Sequence, residues 1–363
     1  MHDQTRLAAA LALAVALACA SSCGDDPLNP PADPWMDLST PVQSGSLLAL
    51  AAHGADVIAV GAQGRRESPE AVALWSSGGS FSILNLPLTP TGATFSGAAF
   101  DGGGGAVIVG GNRAGQPFAC DERADWTVGF LPVDGFLNAV ARRVDDVLVA
   151  VGTGRGGFAA TRWVPGGWNP DRAGFTTPQE KGLVSVSCAD GVCVACGWDD
   201  ATLQPILRWF DGSTWSTIPG PGGSAIPEIR EEYRVVLLKP GGSLWLGGAT
   251  IETTGGNDRF VARLAGRPAK GNWFEAVLPD AAGLEAVNDI LWASDGTLYL
   301  ACGEMKARVL RYGGAAWYDE GPGTPGQVLA LAESQGVAQT ILAAGWRQDA
   351  TGQPSPLLRS RPL

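Results

Sequence analysis

Histidine sets the first limit on the chemistry this chain can do. Of 363 residues only two are histidines, His2 and His53. His2 precedes an apolar leader, so a zinc centre built on several histidines is excluded. A Ser-His-Asp arrangement would have to run through His53, which sits in the polar turn His53-Gly54-Ala55-Asp56, where a solvated ring is the simpler reading. Carboxylates are more plentiful. Glu228, Glu231 and Glu232 beside Tyr233 form the strongest candidate cluster, expected in a loop; two converging acids there would suit glycan cleavage, but a solvated acidic loop is the simpler reading. Gly152-Thr153-Gly154-Arg155-Gly156-Gly157 fits G-x-G-x-x-G, but Phe158 to Val164 reads as a further strand where a dinucleotide site needs a helix N-terminus. No P-loop, HExxH, EF-hand or G-x-S-x-G stretch occurs. No catalytic, cofactor-binding or metal-ligating residue is therefore assigned.

The N-terminus carries an address. After one basic residue in MHDQTR, the stretch Leu7 to Ala18 is apolar and uncharged. At about 12 residues it is too short for a membrane-spanning helix, which takes roughly 20, and it reads as a secretory leader. It ends in small residues before cysteine, which resembles the lipobox of bacterial lipoproteins. That resemblance implies an acylated cysteine as the new N-terminus and an extracytoplasmic, membrane-anchored protein, periplasmic or at the cell surface. Ala20-Ser21-Ser22-Cys23 fits the pattern better than Ala16-Leu17-Ala18-Cys19, so Cys23 is the expected lipid attachment site and Cys19 the alternative. Plain cleavage after Ala18 or Ala20, leaving a secreted protein, is the competing reading. Residues 24–34, GDDPLNPPADP, are too stiff and polar to join a core and read as a tether. The organisation expected is a signal peptide over 1–22, lipidated cysteine and tether over 23–34, and one folded unit over 35–363.

Loss of residues 1–22 removes Asp3 and Arg6 together, so the net charge of −11 is unchanged. An acidic chain is a poor partner for nucleic acid. Charged residues make up 17% and glycines number 51; with no long amphipathic period, this argues for strands and tight turns.

The folded unit repeats. Seven short apolar runs end in glycine: at Gly61, Gly110, Gly152, Gly197, Gly247, Gly303 and Gly345. Their mean spacing of about 47 residues falls in the range of four-stranded propeller blades. Each run follows another apolar stretch across a polar turn, giving an A to B hairpin. A third stretch and an aromatic (Phe81, Trp126, Trp168, Trp215, Trp273, Trp317) supply strands C and D. The seventh copy ends without strand D, whereas Trp35 to Pro41 precedes the first strand A. The expected fold is an all-β, seven-bladed propeller of four-stranded antiparallel blades, the last closed by the N-terminal strand. The aromatics at the start of strand D are expected to pack between blades.

Blade four, LVSVSCADGVCVACGWDDATLQPILRWFDGSTW, resembles repeats of secreted bacterial propellers, in which an SC…C-AVG hairpin precedes an RW-dG-tsW hairpin. The resemblance implies an extracytoplasmic fold without naming an activity. The pairs Gly110-Gly111 and Gly247-Gly248 are similar, more weakly, to kelch repeats; the copper centre of the kelch-type oxidase needs two histidines, which the mature chain lacks. Cys188 and Cys193 face each other across the A to B turn and predict a disulfide. Cys196 and Cys302 take the same place, before the terminal glycine of their blades, and read as buried free thiols; Cys120 has no evident partner.

Turns A to B and C to D emerge on one face of such a disc, and the longer, variable B to C and D to A connections on the other, which is the better recognition face. Two of its loops match: GWDDATLQP from Gly197 and GWRQDATGQP from Gly345. Trp198 and Trp346, with Asp199, Asp200, Arg347 and Asp349, are the candidate binding residues, suited to stacking on a sugar or anchoring a protein. Preservation of a structural turn explains the same match. The expectation is a monomeric, non-catalytic lipoprotein binding a protein or glycan on this face; a glycan-active enzyme there is the alternative.

Overall fold

The computed structural model describes residues 34–363, apart from 66–67, 87–90, 132–133, 145, 155–156, 165–166, 172–181, 200–203, 223–228, 255–256, 280–282, 322 and 337–338. Cys19, Cys23 and the tether lie outside the described residues. The strands alternate with turns along the chain. β1 (Met36–Asp37) comes first, and blade one follows as β2 (Gly45–His53), β3 (Asp56–Arg65), β4 (Ser68–Ser77) and β5 (Ser82–Ile83). Blade two is β6 (Ala93–Phe100), β7 (Ala106–Asn112), β8 (Pro117–Asp121) and β9 (Thr127–Phe130). Blade three is β10 (Gly135–Arg142), β11 (Leu148–Gly154), β12 (Gly157–Val164) and β13 (Gly167–Asp171). Blade four is β14 (Leu183–Ala189), β15 (Val192–Asp199), β16 (Gln204–Phe210) and β17 (Trp215–Thr217). Blade five is β18 (Ile229–Leu238), β19 (Leu244–Thr254), β20 (Asn257–Arg267) and β21 (Phe274–Glu275), and blade six is β22 (Val287–Trp292), β23 (Leu298–Cys302), β24 (Arg308–Tyr312) and β25 (Trp317–Asp319).

These six sheets are each one continuous stretch of chain. The remaining sheet is composite: β26 (Gly326–Gln335), β27 (Gln339–Gln348) and β28 (Pro354–Pro362) take β1 as their outer strand. All pairings are antiparallel, and each inner strand touches the next until β26 returns to β2. The molecule is an all-β propeller.

The core is divided among the blade interfaces. Seven buried clusters each combine residues of two neighbouring blades; one joins Leu342, Ala344 and Leu358 to Leu47, Val57 and Leu74 across the closing seam. In β3, Val57 and Ala59 serve that cluster, while Ile58 and Val60 serve the next. A strand packed on both faces reads as an unbroken apolar run, which is why the second strand of each repeat lacks the polar alternation of a half-exposed strand.

Every inner strand carries a β-bulge at the same place: Leu48, Ser96, Asn138, Val184, Arg234, Asn288 and Leu329 are the extra residues. In six blades a glycine opposes the residue before the bulge, as Gly152 opposes Leu137. A Cβ added to Gly152 would drive into the carbonyl oxygen of Phe136, and the same holds for Gly61, Gly110, Gly197, Gly248 and Gly345 against their partners. The glycine that ends each apolar run thus permits the close strand approach on which the bulge depends.

Some details differ from the sequence reading. In blade five the glycine in this register is Gly248, one residue beyond the expected Gly247. In blade six Cys302 itself opposes Val287, whereas Cys196 lies one register away from Gly197, so the two thiols are not equivalent. Several B to C connections expected as loops are extensions of the hairpin: Arg65 pairs with Ser68, Gly154 with Gly157 and Thr254 with Asn257. After Gly157 the chain continues as strand β12, so no helix N-terminus stands there to hold a dinucleotide phosphate.

Candidate functional site

The bulges turn their residues toward the axis. Together with their neighbours they line a cavity of about 660 Å³ walled by all seven inner strands. The ring of bulges lies four to six residues before the A to B turns. Trp198, at the B to C end of β15, also lines the cavity, which therefore reaches from the bulges to the level of the B to C connection of blade four.

Three polar bulge residues brace the ring. Ser96 Oγ donates to the Leu137 carbonyl, Asn138 Nδ2 to that of Leu183 at 2.9 Å, and Asn288 Nδ2 to that of Val328 at 3.0 Å. In each case the acceptor precedes the next blade's bulge. A second brace uses the residue after the bulge: Ser185 Oγ accepts from the Val236 amide at 3.2 Å, and Asp289 Oδ2 from the Leu331 amide at 2.7 Å. Inter-blade backbone groups are thereby satisfied where the channel would otherwise strip them of partners.

The charged side chains gather on blades five and six and are joined there by Gln327 of blade seven. Arg234 Nη2 meets Glu232 Oε2 at 3.2 Å, Arg234 Nη1 donates to Asn288 Oδ1 at 3.2 Å and also pairs with Glu304, and Arg230 joins Glu232 at 2.9 Å. Glu304 in turn accepts from Gln327 Nε2 at 2.7 Å, and Gln327 Oε1 from Trp346 Nε1 at 3.2 Å. Burial pulls Arg234 below its ordinary value, against the opposing charge of Glu232. Asp289 differs from the other acids here. Its Oδ1 accepts from the Ile290 amide at 2.8 Å, and among the described residues it has no ion-pair partner. Burial pushes its carboxyl up to about 7, against the pull of the Leu331 and Ile290 amides.

The six residues proposed from the two matching loops separate. Trp198 reaches the cavity. Trp346 is joined to its rim through Gln327 and Glu304, with two blades lying between blades four and seven on the shorter way round the ring. Arg347 pairs with Asp37 of β1 at 2.7 Å. Asp349 Oδ1 accepts from the Thr351 and Gln353 amides and so caps its own turn. Asp199 ends β15, and Asp200 lies outside the described residues.

The acidic group near Tyr233 is a strand, not a loop. Glu231 and Glu232 fall on β18 with opposite orientations: Glu231 is buried against Arg263, and Glu232 is held by Arg230 and Arg234. Glu228 lies outside the described residues. Alternation along a strand separates adjacent carboxylates, so this pair does not converge.

The pairing and burial expected of the cysteines are found, apart from the equivalence of Cys196 and Cys302. Cys188 and Cys193 are directly opposed in the β14–β15 hairpin and form a disulfide, while Cys120, Cys196 and Cys302 are buried and free. Burial pushes the Cys120 thiol up to about 12 and the other two higher, which makes them inert at neutral pH. His53 is exposed at the end of β2. Trp215 stacks on Phe210 at 5.0 Å, and Trp126 meets Trp75 edge-on at 6.4 Å, so these aromatics pack within and between blades.

Asn138, Arg234, Asn288, Asp289, Glu304 and Gln327 were not singled out from sequence. A signal existed for the bulge positions. Aligning the seven inner stretches places Leu48, Ser96, Asn138, Val184, Arg234, Asn288 and Leu329 in one column, and polar residues there break otherwise apolar strands.

No known protein family and no curated protein matches the chain. Among solved structures it is similar to a protein of unknown function from Dyadobacter fermentans, with a TM-score of 0.53 and 9% identity over 91% of this chain and 98% of that one. The likeness is one of fold.

Proposed function

We propose that this protein is a non-catalytic, extracytoplasmic lipoprotein, anchored through Cys23, whose propeller presents the B to C and D to A face to a protein or glycan partner. One observation carries the binding reading: an axial cavity of about 660 Å³ gathers the indole of Trp198, from the B to C end of its strand, with amide and carboxylate groups. Its size suits a small ligand or one inserted group of a larger partner. The leader, the lipobox-like cysteine and the Pro-rich tether support the address. The tether runs directly into β1, the outermost strand of the composite blade, so the anchor would hold the disc by its rim.

Labelling cells with radioactive palmitate tests the anchor: incorporation is expected in the wild type and absent in Cys23→Ala. Retention of label in that variant, with loss in Cys19→Ala, would move the anchor to Cys19. A glycan array and a partner pull-down comparing the wild type with Trp198→Ala test the face. Binding that is indifferent to Trp198 would remove the cavity from the recognition site.

A further inference from the structure

The cavity has two unlike walls. Blades seven and one present Leu329, Leu331, Leu48 and Leu50, while blades three to six present Asn138, Glu232, Arg234 and Asp289 with the indole of Trp198. Hydrogen-bonding capacity on the polar wall is biased toward acceptors. Both Asn138 Nδ2 hydrogens are spent, on Thr153 Oγ1 at 3.1 Å and the Leu183 carbonyl, leaving its Oδ1 as an acceptor. Arg234, the cation of the lining, is spent on Glu232 and Glu304. The charges on the wall therefore sum to one uncompensated carboxylate, Asp289, whose oxygens receive backbone amides alone.

A carboxylate in a half-apolar cavity without a counter-ion is a costly arrangement that a cationic ligand would relieve. The leucine wall begins on the neighbouring blade seven, whose Leu331 amide already reaches Asp289, and favours an aliphatic stem, while the indole of Trp198 in the same lining favours a cation over a neutral group. From this juxtaposition we infer that the channel receives an amphipathic cation, an ammonium or guanidinium on an aliphatic chain, with its charge at Asp289 and its stem against Leu48 and Leu329. Two sources share that chemistry: a free alkylamine, and a lysine or arginine side chain inserted by a partner. The inference rests on the reading of the cavity as the binding site.

The test is titration calorimetry of the full-length protein in detergent with n-pentylamine, with n-pentanol as the neutral isostere, and with acetyl-lysine-methylamide against its norleucine analogue. Wild type is expected to bind the cationic member of each pair at least tenfold more tightly than the neutral one. Asp289→Ser should lose that preference while staying folded, because Ser185 already performs the same inter-blade acceptance in blade four. Asp289→Asn, with ligand-observed NMR in place of calorimetry, is the second variant should the serine chain not fold. Tighter binding of the lysine derivative than of pentylamine assigns the source to a partner's side chain, and the reverse order to a free amine. Equal binding of amine and alcohol, or cation binding unchanged in both variants, overturns the inference. If no cation binds yet a glycan or partner is retained in a Trp198-dependent way, the inference alone falls; if nothing binds dependent on Trp198 or Asp289, the cavity reading falls with it.

Discussion

Gly152, Asp289 and the Cys188–Cys193 pair show how single residues act in this ring. Gly152 lies where a Cβ would overlap the Phe136 carbonyl. Gly152→Ala is expected to cost about 3 kcal/mol, since backbone rather than a flexible side chain must move; chemical denaturation measures it, and a loss under 1 kcal/mol would show the bulge yields easily. Asp289 carries a pH signature. Its folded pKa, about 7, lies above the ordinary carboxylate value, so between these the unfolded chain binds fewer protons and stability falls as pH rises. Glu232 and Arg234 share the channel with it, so the comparison must be differential: the melting temperature of wild type, relative to Asp289→Ser, should decline from pH 4.5 to 7 and then level off. A difference that stays flat would mean that the carboxylate is solvated. The disulfide closes a very short loop and should contribute on the order of 2 kcal/mol, measurable as the denaturation difference between wild type and a Cys188→Ser/Cys193→Ser chain.

Strand β1 decides the closure at the scale of elements. It is two residues long, yet it brings Trp35 into the core between blades six and seven at 4% exposure. Arg359 donates from Nη2 to the Trp35 carbonyl at 2.8 Å and from Nε to Asp37 at 2.8 Å, and Arg347 also holds Asp37. Deleting residues 35–41 should lower the melting temperature markedly, with Trp35→Ala alone costing about 3 to 5 kcal/mol; an unchanged melt would show that β1 is not needed for closure. Partial burial opposes ionisation of Asp37, but the hydrogen bonds and charge of Arg347, with Arg359, hold its carboxyl below the ordinary value. Its contribution is therefore present above about pH 4 and lost as pH falls through the lowered value. Wild type should lose stability on acidification below pH 4 more steeply than Asp37→Asn, as thermal melts from pH 5 to 2.5 would record.

The whole molecule is a ring of similar units made unequal by a few side chains. Repetition explains why so much was legible: apolar runs buried on both faces, glycines in register with a bulge and a missing last strand matched by a surplus first one are local patterns that recur. The candidate site was read less well. Arg347 and Asp349 have the types and spacing of binding residues, but their groups are used on Asp37 and on a turn. The channel residues are dispersed over more than 200 positions of sequence, two to four per blade. What the sequence by itself determined is the repeat, its strands, the hairpin disulfide and the joining of the two ends, because each follows from side-chain periodicity, turn chemistry or counting. Only the tertiary structure decided which residues share the axis. Bulge geometry and ring closure bring Trp198, Arg234 and Asp289 to one cavity, and neither distance across the ring nor the direction a bulged side chain takes is written in the order of residues along one strand.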